Sequence, residues 1–143
     1  MKDELYQQAI LAQADAAVRA GRIDAPDASV TLDNPLCGDR VTIDVKLQDN
    51  RVADLAHRVR GCRLCEAAAS AIGANAVGQS VDAIAEAEAA LRAMLDGTAA
   101  PTPAWPGLDA FRPVRDYKSR HACVLLPFET LRAAIAEART AVK

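Results

Sequence analysis

The chain has 143 residues, with 17 Lys or Arg against 19 Asp or Glu and a formal net charge of −2. That balance excludes a basic nucleic-acid binder, and the length suits a single domain, 1–143, that buries one core without disulfide staples. Alanine supplies 32 residues and the aromatics are only five, Tyr6, Trp105, Phe111, Tyr117 and Phe128; such a core is built from small side chains at close helix contacts, and little in it suits a pocket for an organic substrate.

No window approaches the roughly 18 consecutive apolar residues of a membrane span. Lys2, Asp3 and Glu4 ahead of a few apolar residues do not make a signal peptide. The expected compartment is the cytoplasm. There Cys37, Cys62, Cys65 and Cys123 stay reduced, which favours metal or sulfur chemistry over a disulfide framework.

In chain order, residues 3–20 place Leu5, Ala9, Leu11, Ala12, Ala16 and Val18 at helical spacing, with Gly21 as the stop. A loop with Asp24, Pro26, Asp27 and Ser29 leads to Asn34-Pro35. Val41 to Leu47 alternates apolar and polar as a half-buried strand does, Asp49-Asn50 turns the chain, and Val52 to Val59 keeps Ala53, Leu55, His57 and Val59 on one face, so a hairpin is predicted. Glu66 to Val77 reads as an alanine-rich helix, and Ser80 caps another from Val81 to Leu95, closed by Gly97. A Pro-rich connector, 97–112, carries Trp105, expected to plug apolar surface. The last helix is expected to start close to Cys123 or Pro127, with Leu131, Ala134, Ile135 and Ala138 as its stripe. Helix, strands, helices without βαβ alternation predict an α+β fold: a small antiparallel sheet of about three strands with helices on one face.

Three cysteines sit where the chain changes direction: Cys37 in the turn entering the first strand of the hairpin, Cys62 in the turn leaving the second, and Cys123 ahead of the last helix. The start of one antiparallel strand and the end of its partner share an edge, so Cys37, Asp39 and Cys62 are expected to be neighbours. The chain between Cys62 and Cys123 is long enough to bring a third thiolate to the same end. Three thiolates and a carboxylate suit tetrahedral zinc or an iron-sulfur cluster, and spacing alone does not choose between these and persulfide chemistry. A helix start at Cys62 and the nearby Arg60, Arg63 and Arg120 favour thiolate over thiol. Each residue also has a plainer reading: Asp39 as a turn former, Arg120 as a solvated charge or as a partner of Asp39, His57 as a core histidine, and Cys65 as core, spare ligand or resolving thiol.

Asn34-Pro35-Leu36-Cys37-Gly38-Asp39-Arg40, Gly61-Cys62 followed by Ala67-Ala68-Ala69-Ser70-Ala71, and Arg120-His121-Ala122-Cys123 with its following helix resemble the IscU/SufU/NifU N-terminal family of iron-sulfur scaffold proteins, over about residues 5–140. The resemblance implies a scaffold that takes sulfur from a cysteine desulfurase, builds a transient 2Fe-2S cluster and passes it to acceptor or carrier proteins, with no substrate turnover of its own. It also implies Cys37, Asp39, Cys62 and Cys123 as ligands, Cys37 or alternatively Cys123 as persulfide acceptor, and Arg120 beside them; Cys65, where SufU-like sequences usually have a small polar residue, and His121, one place before the position of the histidine in the IscU branch, depart from the pattern and are further candidates for the metal. The Pro-rich connector and Arg120 bring the chain closer to the SufU branch, where the same ligands hold Zn2+ and the protein relays sulfur. A purely structural zinc-binding module is the third reading. The Leu-Pro-Pro-Val-Lys segment that a dedicated chaperone reads in the IscU branch is replaced by Pro113-Val114-Arg115-Asp116-Tyr117-Lys118, so chaperone-assisted transfer is not expected.

Overall fold

The computed structural model describes residues 8–36, 38–98 and 105–141. Alternation sets its sheet. In β2 (Asp39–Gln48) Val41, Ile43 and Val45 are fully buried on one face, while Arg40 is exposed and Thr42 half-buried on the other. With β1 (Ala28–Asn34) and β3 (Arg51–Arg60) this strand forms an antiparallel sheet in the order β1-β2-β3. Asp49 and Asn50, at φ 54° and 62°, close the hairpin as the sequence predicts; side chains that tolerate positive φ are what a tight hairpin turn requires.

Two strand expectations need correction. The stretch read as a loop up to Asn34 contains β1, whose Ser29, Thr31 and Asp33 are exposed and whose Val30 and Leu32 are half-buried. An edge strand with so weak an apolar signal is recruited by its partner: Val30 lies opposite Ile43, Leu32 opposite Val41, and the Thr31 and Thr42 hydroxyls hydrogen-bond at 2.7 Å. In β3, Ala53 is exposed and Val52 buried. A register shift between Lys46 and Leu47 sets Val52 opposite Leu47, and a one-residue slip moves a side chain to the other face.

Helix α1 (Gln8–Ala16) ends before the expected position 20, because Ala17 and Arg19 turn to φ 43° and 64°. The next residues lie along the open edge of β3, where the His57 amide donates to Arg19 O at 3.1 Å and the Gly21 amide to His57 O at 2.9 Å. Covering an unpaired strand edge satisfies backbone groups that a longer helix would leave bare. The Val18 amide donates to Ser70 Oγ at 3.0 Å, and a Cβ on Gly73 would collide with Val18 O.

Helix α2 (Arg63–Asn75) starts immediately after Cys62 and is buried from Leu64 to Gly73 except at Glu66, so its run of alanines is a close-packed interior. α3 (Val81–Asp96) is bounded as predicted: Ser80 Oγ accepts from the Ala83 amide at 3.0 Å, and Gly97 takes φ 80°. Of the connector, residues 99–104 lie outside the described residues. Trp105 is buried with its ring 6.0 Å from that of Phe128, as a plug should be. From Leu108 to Asp116 the chain winds in 3-10 turns, into the expected connector's end, and a second such turn, Lys118–Arg120, leads into α4 (His121–Ala141). The last helix therefore begins two residues before Cys123, with Pro127 inside it. α2 and α4 pack on the Val41, Ile43 and Val45 face. Among the described residues no helix is long and apolar enough to cross a membrane.

Candidate metal and sulfur site

Three elements present side chains at one tip of the sheet. Asp39 opens β2 with the same parity as Val41 and Ile43, so its carboxylate faces the helices. Cys62 is the N-cap of α2, extended at φ −77° and ψ 168°, and Cys123 stands in the first turn of α4. One oxygen of Asp39 and the sulfurs of Cys62 and Cys123 all lie within 4.8 Å of one another; Asp39 and Cys123 are buried and Cys62 is half-buried. Ligands about one metal at bonds of about 2.0–2.3 Å stand about 3.5 Å apart. Small side-chain rotations close that difference, and thiolate with carboxylate is a donor set that zinc and iron accept.

The carboxylate is tied to Cys62 twice. The Cys62 amide donates to Asp39 Oδ1 at 3.1 Å and its thiol to Oδ2 at 3.7 Å. Gly61 permits this approach, since a Cβ there would lie 2.5 Å from Asp39 Oδ1. The sequence displays Gly61 directly before Cys62, but its role emerges only once the hairpin register sets it across from Asp39.

The Cys62 thiol is lowered from 9.0 to about 7. The side-chain hydrogen bond with Cys123 contributes most; burial opposes it, the Cys65 amide helps, the Asp39 charge opposes, and the Leu64 amide helps. The helix start thus favours the thiolate as its position suggests. Arg63 differs from expectation, since it is turned to Asp15 and Glu66.

The other described candidates lie outside this three-residue group. Cys37 lies outside the described residues. Cys65, one turn into α2, is fully buried in the hydrophobic core and is not part of the three-residue cluster. His121 donates from Nε2 to the carbonyls of Val114 and Arg115, at 3.0 and 3.1 Å, and is likewise not in the cluster. Arg120 is half-buried in the 3-10 turn ahead of α4. His57 is buried on the inner face of β3; its Nε2–H donates to Val18 O at 2.7 Å, and its Nδ1 has no partner.

The family model described as the NifU-like N terminal domain matches residues 5–137. The chain belongs to this family. A nitrogen-fixing NifU-like protein (N-terminal) from Brucella abortus is 36% identical, with a TM-score of 0.91 and 97% of each chain covered. The SUF-system protein FiSufU from Fervidobacterium islandicum AW-1, 21% identical, shares the fold at a TM-score of 0.88 over 94% of this chain and 99% of that one. Iron-sulfur cluster assembly scaffold protein IscU 1 of Archaeoglobus fulgidus is 36% identical over 75 residues, 47% of this chain, so the NifU-like domain matches about half, 49%, of that relative. Scaffold protein IscU of Thermotoga maritima is 27% identical over 133 residues, 92% of both chains. In this NifU-like domain, as expected from the order of its elements, a three-stranded antiparallel sheet carries helices on one face.

Proposed function

We propose that this NifU-like domain is a scaffold for iron-sulfur cluster assembly: it accepts sulfur from a cysteine desulfurase, assembles a 2Fe-2S cluster as its cargo and passes it to acceptor proteins. The observation that carries this reading is the convergence of Asp39, Cys62 and Cys123 within 4.8 Å at one tip. Cys37, two residues before Asp39 in the chain, supplies the fourth donor. Thiolates hold iron and sulfide well, and a carboxylate is a harder, weaker ligand; a mixed set suits a cargo that has to leave. Cys37 takes the incoming persulfide, with Cys123 as the alternative acceptor. The protein turns over no substrate of its own and works in the cytoplasm.

The names of the Archaeoglobus and Thermotoga relatives support this reading. The same four donors would also suit a closed tetrahedral shell for Zn2+, and the second reading is a zinc-dependent sulfur relay.

Anaerobic incubation with a desulfurase, L-cysteine and ferrous iron separates the readings. Visible charge-transfer absorption of a 2Fe-2S centre is expected, transferable to an apo-acceptor. Stoichiometric zinc with stimulation of the desulfurase and no cluster would replace the first reading by the second. No response to the desulfurase would leave a structural zinc module.

A further inference from the structure

The motif Cys62-Arg63-Leu64-Cys65 contains one thiol that the proposed ligand set does not use. Cys62 caps α2 and Cys65 is the third residue of its first turn, which places their Cα atoms about 5 Å apart. A disulfide spans Cα separations of about 4.4–6.8 Å. The N-cap position, extended at φ −77° and ψ 168°, sets Cys62 at the start of the turn that carries Cys65. Burial makes the pair unequal. Cys62 is half-buried and packs against the core in which Cys65 is fully enclosed. Persulfide sulfur delivered to the tip can pass to half-buried Cys62, whereas enclosed Cys65 reacts only with what Cys62 carries. Proximity of this kind raises the effective concentration of an internal nucleophile far above that of dissolved thiols.

We propose that Cys65 is the resolving thiol that liberates sulfide from a persulfide carried on Cys62. This rests on the reading above that the tip receives persulfide, which reaches Cys62 directly or by exchange from a neighbouring cysteine thiol. The Cys65 sulfur attacks Cys62 Sγ; the bond from Sγ to the outer sulfur breaks, and a Cys62–Cys65 disulfide forms. The outer sulfur leaves with the electron pair of the broken bond as hydrosulfide, reduced by two electrons, and takes up the Cys65 proton. The two cysteine sulfurs supply those electrons, so release needs no external reductant. A dithiol reductant then reopens the disulfide and returns Cys62 to the site. Sulfide is produced in this way at the point where a cluster requires it, before Cys62 takes up iron.

The test uses the full-length, metal-free chain, loaded anaerobically by a cysteine desulfurase with L-cysteine and desalted at once. The wild type is expected to release one sulfide per chain and to lose about 2 Da, with peptide mapping joining Cys62 to Cys65. Cys65→Ser and Cys65→Ala, checked for folding by circular dichroism, should keep a persulfide of about 32 Da and release sulfide about tenfold more slowly. The wild-type peptide map stands by itself if both variants fail to fold. A wild type that keeps its persulfide, or a disulfide that maps to Cys62 and Cys123, overturns the proposal. Absence of persulfide from every cysteine in every chain overturns the sulfur-accepting reading instead, and this proposal with it.

Discussion

Asp39 and Asp44 lie five positions apart on β2 and are equally buried, each 3% exposed, yet their surroundings differ in kind. Asp44 is on the face away from α2 and α4. Ser29 Oγ donates to it at 2.6 Å, Arg58 donates from both terminal nitrogens at 3.0 and 3.2 Å, and the Ile23 amide reaches it at 3.4 Å. Burial would raise its pKa, but the hydrogen bonds from Arg58 and Ser29, the Arg58 charge and the Ile23 amide outweigh that and hold the carboxyl below its usual value. Asp39, on the opposite face, meets the amide and thiol of Cys62 with the Cys123 sulfur nearby. A buried carboxylate enclosed by hydrogen-bond donors fastens a fold; one set among thiols has bonding capacity left for a metal.

The largest expected effect is at the thiols. Cys62→Ala and Cys123→Ala should each weaken zinc or ferrous iron binding by at least about 100-fold, more than loss of an outer hydrogen-bond partner does; isothermal titration of the metal-free protein measures it. Stability should show the reverse order for the two carboxylates. Asp44→Ala leaves Ser29 and the Ile23 amide without their acceptor and Arg58 with only the Gly21 carbonyl, and should cost about 1–3 kcal/mol in urea unfolding, whereas Asp39→Ala should cost less than about 1 kcal/mol. Equal losses would erase the distinction.

Gly61→Ala tests how Asp39 is placed. A methyl group 2.5 Å from its Oδ1 has to displace the carboxylate, so metal affinity should fall about tenfold while the melting temperature changes little. Alkylation of Cys62 in the metal-free protein should rise with a midpoint of about 7, and Cys123→Ala should move that midpoint up towards 9.0 because Cys123 is the main cause of the shift. The smallest effect is at His57. Burial lowers its pKa despite the hydrogen bond to Val18, so the folded chain binds fewer protons there than the unfolded chain, and stability should be lost as pH falls through 6.5. In His57→Gln the slope of stability against pH below 6.5 should flatten.

Local patterns carried much of this fold. The alternation of Val41 to Leu47, the Asp49-Asn50 turn and the Ser80 and Gly97 caps are short-range features, and each element stands where they place it. The missed features depend on partners distant in the chain. β1 exists because β2 offers it an edge, and α1 stops at Ala16 because His57 and Ser70 draw the next residues onto β3 and α2. At the tip, hairpin geometry was enough to join Asp39 to Cys62. The Cys123 side chain arrives with α4, whose start the sequence locates only to within a few residues, and the part played by Gly61 depends on contact across the hairpin.

Zinc K-edge absorption on the protein loaded with one equivalent of zinc, used as a probe ion, tests the central claim most directly. The account predicts three sulfurs at about 2.3 Å and one oxygen at about 2.0 Å, from Cys37, Cys62, Cys123 and Asp39. Asp39→Ala should remove that oxygen, leaving any replacement to solvent exchangeable with added thiol, and Asp44→Ala should leave the spectrum as it was. A shell with fewer than three sulfurs, or one that responds to Asp44→Ala and not to Asp39→Ala, would contradict it.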